Sequence, residues 1–329
     1  MEVSIIILNY NGMEFADRCL ESVLSSAYSD FEVIFVDNRS SDGSLEYVKK
    51  KFSSHSNLKL VINDKNYGFA LGNNIGARQA NGKYLVFLNI DTAVDSNWLT
   101  ELVSVMDTYP SAGAAQCKLL LMDNPKLIDS AGHYMDWFGI AYVQGHAEED
   151  RGQYSRITEV FGATGAALII RRDIFKKLGG FDEDFFMLFE EDDLCWRIWI
   201  AGHKVLYIPQ AVVFHKSGAL RSKSGSYTNL FLSRRNRIIS LLKNYDTRNL
   251  IRFLPVNVSL LFAITFFTEN KSEYFKAFVK ALLWVAQNAR KILLKRRITQ
   301  AMRVVSDEQL IKMGIIRKPH IKEMLRKGY

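Results

Sequence analysis

NYGFALGNNIGARQANGKYLVFLNIDT, residues 66–92, decides the fold. A helix-period segment, GFALGNNIGARQA (68–80), runs into YLVFLN (84–89), a continuous apolar run of strand length, and the run stops at Asn89-Ile90-Asp91. The same alternation extends outward on the N-terminal side. VSIIIL (3–8) reads as a buried strand, EVIFVD (32–37) and LKLVIN (58–63) as a second and a third strand, and 13–26 and 44–52 as helices between them. On the C-terminal side SNWLTELVSVMD (96–107) reads as a helix, with Ser96 as N-cap and Glu101 in its early turns. Val/Ile/Leu strands separated by helices imply a parallel sheet covered on both faces. In such sheets ligands bind beyond the carboxyl ends of the strands. Three polar clusters fall at that edge: Asn9-Tyr10-Asn11, Asp37-Asn38 and Asn89-Ile90-Asp91. Asn and Asp also simply terminate strands, so it is the convergence of the three that points to a site.

The phosphate-binding fingerprints of other α/β enzymes are missing. NYNGMEF follows the first strand with one glycine where GxGxxG needs three, and no GxxxxGK[ST] occurs. Gly68, Gly72 and Gly76, spaced by four, suit a helix lying close to the sheet or to a ligand. The 329 residues are 48% hydrophobic and 24% charged, which excludes a disordered or collagen-like chain. Three cysteines without a CxxC pair argue against a disulfide framework or a thiolate zinc site and fit a reducing compartment. The N-terminus shows no basic n-region and too short an apolar run for a signal peptide, so a cytoplasmic catalytic body is expected.

IIILNYNG, EVIFVDNRSSDGS, the 66–92 stretch and GGFDEDFFMLFEEDDLCWRIWIAGHKVLYIPQAVVFH together resemble glycosyltransferase family 2, and most closely its rhamnosyltransferase-like branch. The resemblance covers about residues 1–220. It implies a GT-A fold, a mostly parallel sheet flanked by helices, and inverting transfer of a sugar from a nucleotide diphosphate sugar. It divides the chain into a catalytic domain over 1–220, with a nucleotide-binding half (1–110) and an acceptor half (111–220), and a helical, basic extension over 221–329. By position, the resemblance sets Asn9, Tyr10 and Asn11 beside the base, Asp37 on base or ribose, and Asn74 near the nucleotide. Asn89-Ile90-Asp91 stands at the family's DxD motif, which holds Mn²⁺ or Mg²⁺ against the donor diphosphate. Asn89 removes one negative charge there and leaves Asp91 as principal ligand.

Glu190-Glu191-Asp192-Asp193 follows FFMLF. An acidic first turn suits a helix dipole. Apolar neighbours and like charge also raise a carboxyl pKa and make a general base. The resemblance puts Glu191 at the base position, with Glu190 as the alternative base and Glu190 and Asp193 as supporting acids. Arg197 anchors the same helix by ion pairs. His215 is either a structural residue or, by the resemblance, a further metal ligand, one that favours Mn²⁺. The other five histidines show no such neighbourhood in the sequence. Residues 128–165 belong to the acceptor side, where Trp137, Phe138 and Tyr142 either stack on acceptor or pack in the core. FGATGAALIIRR (161–172) reads as a strand returning to the sheet.

Charge is asymmetric. Residues 1–209 carry net −10 and residues 210–329 net +18. The apolar run 253–267 is too short to span a bilayer. Phe275, Phe278, Val279, Leu282 and Leu283 share a helix face beside Lys276 and Lys280, and Arg290–Arg297 adds five positive charges. This reads as interfacial helices on an anionic membrane surface, giving a protein peripheral on the inner face of the cell membrane. A helical cap or an oligomer interface is the alternative. No nucleic-acid module accompanies the charge. The expected partners are a nucleotide diphosphate sugar and a glycan or polyprenyl-linked acceptor. A sugar-phosphate nucleotidyltransferase is the rival enzyme, and an inactive membrane-docked scaffold the rival non-enzyme.

Overall fold

A computed structural model describes residues 1–218, 226–268 and 270–319. The expected boundary at 220/221 lies outside the described residues. The first half alternates β1 (Val3–Asn9), α1 (Met13–Leu24), β2 (Phe31–Asp37), α2 (Ser44–Phe52), β3 (Leu58–Ile62), α3 (Gly68–Arg78) and β4 (Tyr84–Asn89). β5 (Thr92–Val94), α4 (Trp98–Thr108), β6 (Ala112–Leu121), β7 (Asn124–Ser130), β8 (His133–Asp136) and β9 (Ala141–Val143) follow. Then come β10 (Thr158–Glu159), β11 (Ala167–Arg171), α5 (Arg172–Lys177), a 3₁₀ turn at Glu183–Phe185, α6 (Glu190–Ile200) and β12 (Lys204–His215). The C-terminal part holds α7 (Ser226–Asn244), α8 (Thr247–Ile264), α9 (Lys271–Gln287), α10 (Ala289–Ala301), α11 (Asp307–Lys312) and β13 (Ile316–Arg317).

The main sheet runs β10-β12-β6-β11-β4-β1-β2-β3, with β5 on β12 and β7 on β6. β3, β2, β1 and β4 are parallel, as their apolar runs predict. The sheet as a whole is mixed. β11 inserts antiparallel between β4 and β6, and β12 returns parallel to β6. The sequence shows 161–172 returning to the sheet, but a buried antiparallel strand carries the same apolar run as a parallel one, so its direction is invisible there. Helix α4 starts at Trp98 with Asn97 as N-cap rather than Ser96.

Packing of α3 explains the glycine spacing. A Cβ on Gly72 would meet Leu8 at 2.6 Å, and one on Gly76 would meet Ile6 at 2.6 Å and Val36 at 2.8 Å. The two glycines bring α3 down onto β1 and β2, which sets its N-terminal end beside the strand ends.

The C-terminal helices are stitched to the sheet-bearing part of the chain. β13 pairs with β8, and the backbone N–H groups of Val304 and Val305 donate to the Ile200 carbonyl. Trp137 stacks on Phe253 at 6.0 Å and Phe138 meets the same ring edge-on. Tyr142 is buried against Tyr134. Trp137, Phe138 and Tyr142 therefore all have packing partners within the fold. Much of the helix face expected to rest on lipid also turns inward. Phe278 is buried, and Val279 and Leu282 pack with it against Ile238 and Leu261.

Candidate active site

The carboxyl ends of β1 and β2 meet in a buried hydrogen-bond hub. Asn9 Nδ2 donates to Asp37 Oδ1 (2.8 Å), Ser40 Oγ (3.0 Å) and Ser44 Oγ (2.8 Å), and Asn9 Oδ1 accepts from the Gly12 backbone. Asp37 Oδ2 accepts from the Ser40 backbone at 2.9 Å. Asn9 and Asp37 are fully buried and shape the 37–44 loop from beneath. Asn11 adopts φ +54° and its Oδ1 accepts from the Ser41 backbone, while Tyr10 stands exposed at the edge. Asn74 is engaged on the other side of α3. Its amide donates to the Phe181 carbonyl and accepts from the Phe181 backbone N–H, at 2.9 and 3.0 Å. That two-point clamp holds the GGFDE loop.

At the end of β4, Asn89 is half-buried and its backbone N–H donates to Ala166 O at 3.1 Å. Asp91 is buried, and its Oδ1 has no hydrogen-bond partner among the described residues. His215 Nε2 lies 3.5 Å from that oxygen, and His215 Nδ1 is 2.7 Å from Asp129 Oδ2. Burial opposes charge on this imidazole, but the hydrogen bond to Asp129 and the negative charges of Asp91 and Asp129 raise its pKa to about 9. A carboxylate oriented on the far nitrogen of a histidine is how proteins fix the tautomer of a metal-binding imidazole. Asp91 Oδ1 and His215 Nε2 thus fit a divalent cation, with Asp129 as the orienting partner. Among the described residues no set of three His, Cys, Asp or Glu side chains forms a complete cage. Such a cation would need donor oxygens from its substrate or water.

The acidic cluster resolves into separate roles. Asp193 is fully buried. It accepts from Arg197 Nε at 2.9 Å, from Lys243 Nζ and from Asn244 Nδ2 at 2.9 Å. Burial pushes its carboxyl up, but Lys243 and Arg197 hold it below the usual range. It ties α6 to α7 and anchors rather than faces the site. Arg197 is its ion-pair partner, as the sequence suggests. Asp192 Oδ1 lies 3.0 Å from His133 Nδ1, so His133 does have an acidic neighbourhood, one formed only by folding. Glu190 is buried at the first turn of α6. Glu191 has one carboxylate oxygen without a hydrogen-bond partner among the described residues. Burial and the neighbouring Asp192 charge raise its pKa, against hydrogen bonds from its own backbone and Gly165 and the charge of His133. The Gly165 amide is near enough to Glu191 to lower its pKa slightly, and the next residue, Ala166, accepts the backbone N–H of Asn89.

Unusual backbone precedes the cluster. Phe186, Leu188 and Phe189 adopt φ of +63°, +72° and +71°. Such conformations persist only where surroundings over-determine them. Here α7 does so. Asn236 Nδ2 donates to the carbonyls of Phe185, Met187 and Leu188, and Arg235 donates to those of Asp184 and Phe185. Asp129, His133, Asn236 and Lys243 escape sequence reasoning. The visible signal for the α7 pair is SRRNR and Lys243, cations and an amide set among the apolar residues LFL (230–232), II (238–239) and LL (241–242).

The sheet order, the strand-end acids and the helix-borne carboxylates define a GT-A glycosyltransferase fold. The family model for glycosyl transferase family 2 matches residues 4–179, and the chain belongs to that family. The chain is 30% identical over 228 residues to the O-antigen biosynthesis protein RfbC of Myxococcus xanthus. That match covers 67% of this chain but only 18% of RfbC. Among solved structures, it is similar to S. aureus TarS 1–349 in complex with UDP-GlcNAc, with TM-score 0.59, 16% identity, and 92% and 91% of the two chains covered. It is also similar to the mannosyltransferase PcManGT from Pyrobaculum calidifontis in complex with GDP-Man and Mn²⁺, with TM-score 0.55, 18% identity, and 92% and 83% covered.

Proposed function

We propose that the protein is an inverting, metal-assisted glycosyltransferase of the rhamnosyltransferase-like branch, with Glu191 as general base. It moves a sugar from a nucleotide diphosphate sugar to a glycan or polyprenyl-linked acceptor. The observation that carries this reading is Glu191, a carboxylate in the first turn of α6 with one buried, unpartnered oxygen and a pKa raised by burial and by Asp192. Tyr10 offers an exposed ring for the base, and Asn9, Asn11 and Asp37 shape the loop beneath it. Asp91 and His215, with Asn89 beside them, would hold Mn²⁺ or Mg²⁺. Bound there, the cation would neutralise charge developing on the departing diphosphate. Glu191 accepts the proton of the acceptor hydroxyl as that oxygen attacks the anomeric carbon from the face opposite the nucleotide. Glu190, buried beside it, supports the base, and Asp193 fixes the helix that carries both. The proposed acceptor class and the net +18 of residues 210–329 support a peripheral position on the inner face of the cell membrane.

Calorimetry with UDP-, GDP- and dTDP-sugars, with and without Mn²⁺, tests the donor assignment. One nucleotide class should bind with Mn²⁺-dependent affinity, and Asp91→Ala should abolish the Mn²⁺ dependence while circular dichroism stays unchanged. Equal affinity of the variant with Mn²⁺ would remove Asp91 from the donor site.

A further inference from the structure

Helix α10 divides its charges between two faces. On the inner face Lys291 pairs with Asp184, Lys295 pairs with Asp182 and Asp184, and Arg296 donates to the carbonyls of Leu242 and Tyr245. Ile292 and Thr299 are buried there. Three of the five cations in Arg290–Arg297 are therefore structural. The outer face repeats at i, i+3, i+4, i+7 and i+8 as Arg290, Leu293, Leu294, Arg297 and Ile298, all exposed. The three aliphatic side chains are 56–58% exposed. Neither outer arginine has an ion-pair partner among the described residues, and the helix contains no Asp or Glu.

We infer that this outer face of α10 docks on an anionic lipid bilayer. Three aliphatics flanked by two arginines match a surface that is apolar at depth and anionic at the headgroups, with the long arginine stems reaching back to phosphate. A second copy of the chain fits poorly. A two-fold contact through this face would set Arg290 and Arg297 against their own kind with no acid on the helix to neutralise them. The inference deepens the proposed peripheral location and is independent of the transfer chemistry, because donor affinity is read on the same samples.

The test is co-sedimentation of the full chain with phosphatidylglycerol/phosphatidylcholine vesicles and with pure phosphatidylcholine vesicles at two salt concentrations. Wild type should favour the anionic vesicles and lose binding as salt rises. Arg290→Gln/Arg297→Gln should weaken that binding about 30-fold, the effect of removing two basic residues from an anionic surface. Leu293→Ser/Leu294→Ser/Ile298→Ser should also lose it, and both variants should keep wild-type nucleotide-sugar affinity. Wild type that ignores both vesicle types, or a triple-serine variant that binds as well as wild type, overturns the inference. A triple-serine variant whose sedimentation coefficient falls while wild type ignores vesicles assigns the face to contacts between copies instead. Loss of nucleotide-sugar affinity in wild type with vesicle binding intact would count against the transferase reading and not against the docking face.

Discussion

Asn236 is the residue whose removal should most directly expose what the C-terminal helices do for the active site. Its side chain is fully buried, and its two N–H hydrogens are shared among three carbonyls of the 185–188 loop at 3.0, 2.9 and 2.7 Å. Asn236→Ala removes both donors. Arg235 still serves Phe185 O, so the carbonyls of Met187 and Leu188 are the ones left short. Two hydrogen bonds at about 1 kcal/mol net each, with a desolvation penalty of about 1–3 kcal/mol where a carbonyl stays buried, give a loss of about 3–5 kcal/mol. A domain of ordinary stability, about 5–15 kcal/mol, survives that. The activity loss should exceed what unfolding explains. The loop carries three left-handed residues directly into Glu190 and Glu191, and displacing a catalytic group by about 1 Å costs about 10²-fold. Asn236→Asp keeps the volume but turns a carboxylate toward the carbonyls. It should be worse near neutral pH and partly recover on acidification, when protonation restores one donor. Urea unfolding alongside kcat at saturating donor measures both effects. Stability within 0.5 kcal/mol of wild type and kcat within twofold in both variants would refute the claim that α7 positions the base.

Three further outcomes follow from the electrostatics. Because burial and Asp192 raise the Glu191 pKa and a base must be ionised, kcat/KM should rise with pH along a limb above the ordinary carboxyl range, and His133→Asn, which removes a charge that lowers this pKa, should shift the limb to higher pH; a limb that does not move would separate His133 from the base. Lys243→Met leaves Asp182 and Asp193 short of their shared buried cation and should destabilise by about 3–5 kcal/mol in chemical denaturation, and a loss below 1 kcal/mol would remove it as an anchor. Lys243 and Lys295 hold the Asp182 carboxyl well below its unfolded value against burial, so its stabilisation is present above the unfolded pKa and is lost as pH falls; the unfolding free energy of Lys243→Met should fall less steeply on acidification than that of wild type, and an equal slope would contradict this.

What the sequence reveals is what periodicity and local chemistry encode. β1 to β4, the close approach of Gly72 and Gly76, and the Arg197–Asp193 pair were all legible because each depends on neighbours a few residues away or on one face of one element. The antiparallel entry of β11 was not, since apolar content fixes burial and not direction. Pairings across long separations were equally hidden. Asp129 reaches His215, His133 reaches Asp192, and Lys295 reaches Asp182 only after the chain folds back. That third pairing also changes the meaning of the basic extension. Part of its charge neutralises acids of the catalytic body, and only the remainder faces outward.

Glu191→Gln, assayed for transfer from its nucleotide sugar at saturating donor, tests the central claim most directly. The amide preserves shape and cannot accept a proton, so turnover should fall about 10²–10⁴-fold. Turnover within a few-fold of wild type would contradict the assignment of Glu191 as the base.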